Sequence, residues 1–270
     1  MVNETEHLTY AVVDLDAIAH NVRALKAHVG AGVEVMAVVK ANAYGHGALP
    51  VARTALENGA TRLAVARASE GVALRAAGID APTLILGYSP PGEAEAIVAN
   101  DLTATVNTLT FAAALDREAG RQGRTVPVHV KVDTGMGRFG LLPHEAPPFV
   151  QELSRFAHLR LEGLGTHFAV ADLPDKSYTW QQFDAFCRVL GDLEAAGVRI
   201  PLRHVANSAA TLDLPEMHLD AVRPGIALYG LRPNPDVEPP IELRPALSLY
   251  THVERVRTLP PGSSISYGRT

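Results

Sequence analysis

The run Ala37 to Gly47, AVVKANAYGHG, sets a lysine at the end of an apolar, β-branched stretch and follows it with a tyrosine and two glycines. Val33 to Val39 is short and mostly apolar, as a strand covered on both faces must be. Lys40 then stands at the C-terminal end of that strand, where open sheets and barrels keep their chemistry. Desolvation lowers the pKa of an amine in an apolar site, so the amine can be a free base near neutral pH and form a Schiff base with a carbonyl. Tyr44, Gly45 and Gly47 would let a hydroxyl and bare backbone amides approach a phosphate. The competing reading is a lysine that merely snorkels from a strand end.

A second cluster follows the apolar run Val126 to Val132. Lys131, flanked by valines, should point to the inside of the sheet, and Asp133 leads into Thr134-Gly135-Met136-Gly137-Arg138-Phe139-Gly140. Its glycines spell G-x-G-x-x-G, but a dinucleotide loop has to open a helix, and Pro143, Pro147 and Pro148 follow closely. Arg138 reads better as a carboxylate clamp, a planar fork able to grip a substrate in two bonds, or else as a surface arginine in a turn. Lys131 could equally be half of a buried pair with Asp133 or Glu162.

Further along, His167 ends an apolar run and offers a ring face and ring nitrogens to a planar aromatic cofactor, although a lone histidine there is more often structural. Asn207-Ser208 supplies amide and hydroxyl donors, and Gly225-Ile226 supplies backbone N–H groups after Arg223-Pro224. Together they make a phosphate nest; Asn207-Ser208 could also simply cap a helix beginning at Ala209.

The elements that must position these groups are eight apolar strand candidates: Val33 to Val39, Arg62 to Ala66, Thr83 to Leu86, Leu102 to Val106, Val126 to Val132, Leu161 to His167, Leu202 to Ala206 and Asp220 to Tyr229. Amphipathic spacers such as Ala48 to Asn58, Ser69 to Ala77, Thr108 to Glu118 and Thr179 to Ala196 separate them, with Gly59, Gly78, Gly120 and Gly197 as helix stops. Strand and helix alternating eight times predicts an α/β fold, a (β/α)8 TIM-type barrel, with most of the chemistry at the C-terminal ends of its strands. Leu8 to Leu15 is an additional strand leading into a helix from Asp16, and Pro235 to Pro240 is a proline-rich joint. Beyond it, Ala246 to Leu259 and Ser263 to Tyr267 alternate like a β meander. The expected organisation is a barrel over residues 1–235 and the start of a truncated β-strand domain over 236–270.

Composition narrows the classes. A chain of 270 residues, 47% hydrophobic and with net charge -5, suits a large packed core and carries no basic signature for nucleic acid. Cys187 is the only cysteine, so no intramolecular disulfide forms and the chain reads as cytoplasmic. No apolar stretch approaches a membrane span, and MVNETEHLTY lacks the basic and apolar regions of a secretory leader. No metal-ligand spacing stands out. Only four of the 24 basic residues are lysines, which makes Lys40 less easily dismissed as ordinary surface charge.

Lys40 to Gly47 resembles the pyridoxal-phosphate lysine motif of the alanine racemase family, and five more blocks match in order across the chain: KVDTGMGRFG, GTHFA, HVANSAA, VRPGIALYG and SYG. The resemblance implies pyridoxal 5'-phosphate on Lys40, with Arg138 touching the cofactor's phenolic oxygen and the substrate carboxylate. It implies that Lys131 often carries a carbamate made from carbon dioxide. It places Arg223 against the pyridine nitrogen, where the related barrel decarboxylases have a glutamate. A guanidinium disfavours protonation of that nitrogen, and so favours returning a proton over side reactions. Racemisation needs one base on each face of a planar carbanion. By resemblance these are Lys40 and Tyr267, the latter reaching the site from the partner subunit of a homodimer. As a bare residue, a tyrosine on a β meander more often serves packing. The family also carries a complete β-domain whose remaining parts have no match here.

Three functions follow as candidates: a racemase interconverting L- and D-alanine for cell-wall precursors, with serine or larger amino acids as alternative substrates; a pyridoxal-phosphate binding barrel without turnover; and a barrel decarboxylase, against which Arg223 stands. The expected partner is a small amino acid, with no nucleic acid and no membrane.

Overall fold

The structure, a computed structural model, describes residues 8–235 and 238–269. Residues 1–7, part of the stretch read above for a leader, lie outside the described residues, as do Thr270 and Asp236-Val237 of the Pro235–Pro240 joint. The described chain falls into two compact units. One comprises residues 14–246, and the other contains the strand before residue 14 and the segment from Leu247 onward.

In the larger unit, β2 (Glu34–Val38), β3 (Arg62–Val65), β4 (Thr83–Ile85), β5 (Thr103–Thr105), β6 (Val126–Lys131), β7 (Leu159–Gly165), β8 (Leu202–His204) and β9 (Ala221–Val222) form one parallel sheet in the order β8-β7-β6-β5-β4-β3-β2-β9. Bonds from Asp220 N to Arg203 O and from Arg223 N to Ala206 O bring the two ends together, so the sheet rolls into the expected (β/α)8 barrel. Period-two alternation sorts its side chains. Val35, Ala37 and Val39 pack outward under the helices, whereas Met36 and Val38 join Ala64, Leu84, Leu202 and Ala221 in an inner cluster. This double burial is why the strands read as continuous apolar runs.

The outer layer consists of α1 (Leu15–Val29), the short segment α2 (Lys40–Tyr44), α3 (Ala48–Glu57), α4 (Ala68–Ala76), α5 (Ala94–Ala99), α6 (Leu109–Gln122), α7 (Ala146–Leu153), α8 (Ser177–Ala195) and α9 (Ser208–Asp213). Asp14 caps α1 by accepting from Ala17 N, and Ile18, Val22 and Leu25 are fully buried on its inner face. Each such side chain stabilises the fold by about 1.5–3 kcal/mol. Buried Asn21 ties α1 down by donating to Leu228 O and Arg244 O and accepting from Arg244 N.

Three expectations are corrected here. Gly120 does not end α6. It sits inside the helix, where a Cβ would come 2.9 Å from the His158 ring, and the left-handed cap is Gly123 (φ 63°). The expected strand Asp220 to Tyr229 is a strand only at Ala221–Val222. Pro224 has no N–H to continue the ladder, and Ile226–Tyr229 closes into a 3-10 turn. Nor does the meander form as read. In the smaller unit β1 (Thr9–Val13) pairs antiparallel with β10 (Leu247–Thr251), Tyr10 stacking on Tyr250, while 252–260 and Ser263–Tyr267 join no ladder. Alternating residues make a strand only where a neighbour takes up their backbone groups.

No helix among the described residues is long and apolar enough to cross a membrane.

Candidate active site

Past β2 the backbone takes an unexpected course. Ala41, Asn42, Ala43 and Tyr44 all lie in the left-handed region, with φ of 51°, 53°, 53° and 54°, before Gly45 follows at 90°. Four successive non-glycine residues there are strained and persist only under external constraint. Glu70, in the first turn of α4, supplies one restraint: its carboxylate accepts from Ala41 N at 2.6 Å and from Ala66 N at 2.6 Å. Asn42 supplies another by accepting from Ala48 N. The Tyr44 ring packs on Tyr229, whose buried hydroxyl donates to Val38 O.

That course delivers Lys40 to a cavity of about 280 Å3 at the C-terminal ends of the strands, just below the roughly 300–1,000 Å3 usual for small-molecule sites. The cavity is lined by Lys40, Tyr44, Lys131, Arg138, His167, Asn207, Ser208, Arg223, Gly225 and Ile226 among others. Burial, and then the Arg138 charge, lower the Lys40 pKa, while Glu70 partly restores it. Of the site residues read from the sequence, Tyr267 alone belongs to the smaller unit, where its side chain is fully exposed.

At the end of β6 the Lys131 ammonium donates to Phe139 O at 2.7 Å, and burial lowers its pKa to about 8. Neither acid considered as its partner makes a direct bond to it. Glu162 pairs with Arg62 and His129, while the Asp133 carboxylate accepts from the amides of Gly135, Gly137 and Arg138. The glycine loop therefore closes on its own aspartate. Two amides a dinucleotide would need are taken, and the next helix begins only at Ala146. The guanidinium of Arg138, by contrast, makes no hydrogen bond or ion pair among the described residues.

His167 is neutral at ordinary pH. Burial first, and then the charges of Arg223, Arg138 and Lys131, push its pKa down to about 3. Asn207 does cap α9, accepting from Ala210 N, while also facing the cavity. Ser208 Oγ accepts from Gly225 N at 2.8 Å and Ala227 N at 3.3 Å. Of the two amides read as a nest, that of Ile226 is left without a partner among the described residues. Gly225 has to be glycine for closeness: a Cβ there would stand 2.7 Å from the Tyr44 hydroxyl.

Arg223 is 5% exposed and donates to the carbonyls of His204, Thr166 and Val205 at 2.7, 2.6 and 3.1 Å. Burial lowers its pKa only to about 10, so it stays cationic at neutral pH. Sequence reasoning passed over what lies behind it, the buried pair His204 and His129. The available signal was the polar His129, two residues before Lys131 in an otherwise apolar strand.

The family model described as "Alanine racemase, N-terminal domain" matches residues 13–233. The alanine racemase of Symbiobacterium thermophilum is 50% identical over 262 residues, covering 97% of this chain and 69% of that protein. That of Methanococcus maripaludis is 46% identical over 266 residues, covering 98% and 71%. Among solved structures, the alanine racemase from the D-cycloserine producer Streptomyces lavendulae superposes with a TM-score of 0.92 at 39% identity, covering 98% of this chain and 70% of its own. The Bacillus anthracis alanine racemase with bound L-Ala-P gives 0.89 at 43% identity, covering 98% and 69%. A matching profile over most of the barrel, close relatives along nearly all of the chain and the same fold in space lead to one conclusion: this chain belongs to the alanine racemase family.

Proposed function

We propose that this chain interconverts L- and D-alanine on pyridoxal 5'-phosphate. The observation that carries the reading is the meeting of Lys40, with its lowered pKa, and the buried cation Arg223 at one cavity. The residues present fit that cofactor: an amine for its aldehyde, the close approach of Gly225 to Tyr44, and an Ile226 amide without a partner among the described residues for its phosphate. When bound, the cofactor supplies an electron sink for the bond that loses its proton.

The protein's own groups do the rest. Tyr44, Asn207, Ser208 and the Ile226 amide would hold its phosphate beside Gly225, and the neutral ring of His167 would face the cofactor from the same cavity. Arg138, whose guanidinium has no hydrogen bond or ion pair among the described residues, would offer its fork to the substrate carboxylate. Arg223 would set its positive charge against the pyridine nitrogen and disfavour its protonation, as a decarboxylase's glutamate would not. Lys40 would take or return the proton at the substrate α-carbon on one face, and Tyr267 of a partner subunit would serve the other. An alanine-sized substrate is supported by the L-Ala-P bound to the Bacillus anthracis relative.

The test is a racemisation assay on the pure chain with and without pyridoxal phosphate, extended to mixed variants. Lys40→Ala and Tyr267→Phe proteins should each be nearly inactive, and mixing under subunit exchange should restore up to about a quarter of the sites if every site draws on both chains of a dimer. A mixture proven to hold heterodimers yet still inert, beside an active parent, would sink the shared site. A parent that binds cofactor without racemising alanine would leave the binding-protein reading in its place.

Lys131 is assigned as a carbamate. Only a neutral amine attacks carbon dioxide, and with a pKa of about 8 the neutral fraction grows as pH rises from 7 to 9. The resulting anion would face Arg138 and Arg223, whose charges now disfavour the ammonium. Carbon-13 bicarbonate should give a carbamate resonance that strengthens over that pH range and vanishes in Lys131→Ala; a parent without the resonance refutes the assignment.

A further inference from the structure

Arg223 is a buried cation with no carboxylate in hydrogen-bonding reach among the described residues. Its compensation begins at the ring of His204. Nη1 makes a short hydrogen bond to His204 Nδ1, and because a guanidinium only donates, Nδ1 must present its lone pair. The hydrogen of neutral His204 is then on Nε2, which lies 2.8 Å from His129 Nδ1. His129 accepts there, so its own hydrogen is on Nε2, 3.1 Å from Glu162 Oε2. One end of the chain only donates and the other only accepts, so both tautomers are determined.

Two further observations agree. Burial lowers the pKa of both histidines, which keeps each ring to a single hydrogen, and Glu162, at about 2, is ionised. The backbone of β7 is also shaped for the two rings: a Cβ at Gly163 would meet His129 Cε1 at 2.6 Å, and one at Gly165 would meet His204 Cε1 at 2.3 Å. Glu162 meanwhile is held by Arg62 at 3.0 Å and Arg160 at 3.4 Å, and Arg62 by Glu34 at 2.8 Å, so its lower side is anchored in the barrel.

We infer that Glu162 and His129 are positioning residues for Arg223: the Glu162 oxygen, as the terminal acceptor, fixes the tautomers of two imidazoles so that a lone pair is aimed at the guanidinium. The consequence is orientational. With His129 or Glu162 lost, His204 is free to carry its hydrogen on Nδ1, facing the N–H of Arg223, and the guanidinium must turn away. This deepens the racemase reading and rests on it only for the catalytic result.

The test starts with the cofactor-free chain labelled with nitrogen-15 histidine, the two resonance pairs being assigned by their loss in His129→Gln and His204→Gln. In the parent, both rings should show one hydrogen, on Nε2, throughout pH 6–9. Glu162→Leu should give mixed tautomers at both rings, and Glu162→Gln, whose amide oxygen still accepts, should restore them. After loading with pyridoxal phosphate, Glu162→Leu should lower kcat at least about tenfold with KM changed less than about twofold, raise transamination per turnover, and recover in Glu162→Gln. A parent with His204 protonated on Nδ1 or on both nitrogens overturns the inference, as do unchanged tautomers in Glu162→Leu. Should that variant fail to fold, the parent spectrum decides alone. Fixed tautomers in a chain that does not racemise would count against the racemase reading and leave the inference standing.

Discussion

Lys40→Ala protein incubated with pyridoxal phosphate and reduced with borohydride is expected to carry no cofactor on any lysine peptide, whereas the parent carries it on Lys40. Racemisation should fall at least about 1,000-fold, since one substitution removes both a covalent anchor and a base. Its surroundings single out this lysine as well as its motif. Lys26 Nζ donates to the carbonyls of Gly30, Ala31 and Val33, Lys131 Nζ to Phe139 O, and Lys176 Nζ to Ala171 O and the Asp213 carboxylate. Lys40 Nζ makes no hydrogen bond or ion pair among the described residues; it lies 5.8 Å from the centroid of the Tyr44 ring, and burial lowers its pKa. It is therefore the lysine amine with no hydrogen bond to give up among the described residues, and its burial favours the free base. Label on the Lys131 peptide of the parent, visible by peptide mass mapping, would move the centre of the site and overturn this assignment.

The second large effect is expected at Arg223. Arg223→Glu should raise the transamination side reaction per racemisation event at least about tenfold, read as pyridoxamine phosphate formed against D-alanine formed. A carboxylate in that position would favour a protonated ring nitrogen, and so a stronger electron sink and more of the side reaction. Stability falls too, because the carbonyls of Thr166, His204 and Val205 lose their donor, at about 1–3 kcal/mol for each buried group left unpaired. Arg223→Lys separates the two effects. It loses the planar fork and much of the stability but keeps the positive charge, so its side-reaction ratio should stay near that of the parent. Equal ratios in Arg223→Glu and the parent would remove the physical reason for preferring racemisation to decarboxylation.

The barrel was legible because its strands are buried on both faces. In β2, Val35 and Ala37 look outward while Met36 and Val38 look inward, so both faces of the strand are apolar. The ends of the elements were less so. Gly120 has the appearance of a helix stop, yet what put it in α6 is the ring of His158, 38 residues further along the chain, which leaves no room for a Cβ. The site's residue types were readable, but their partners were not. Ser208 looked like a donor for phosphate, and in the fold its oxygen accepts from Gly225 and Ala227. The Arg223–His204–His129–Glu162 series is assembled from β6, β7, β8 and the residue after β9, so no window of sequence contains it.

The left-handed passage from Ala41 to Tyr44 changes what the octapeptide around Lys40 is. Its conformation costs about 1–2 kcal/mol per residue in an isolated chain, and what holds it lies partly elsewhere, in Glu70 of α4 and Tyr229 after β9. KANAYGHG is thus not a portable module. Grafted onto another barrel, the same eight residues would relax, and the lysine would leave its pocket with them. The amine's placement is a property of the assembled protein, and its reactivity toward aldehydes reports whether the barrel has closed.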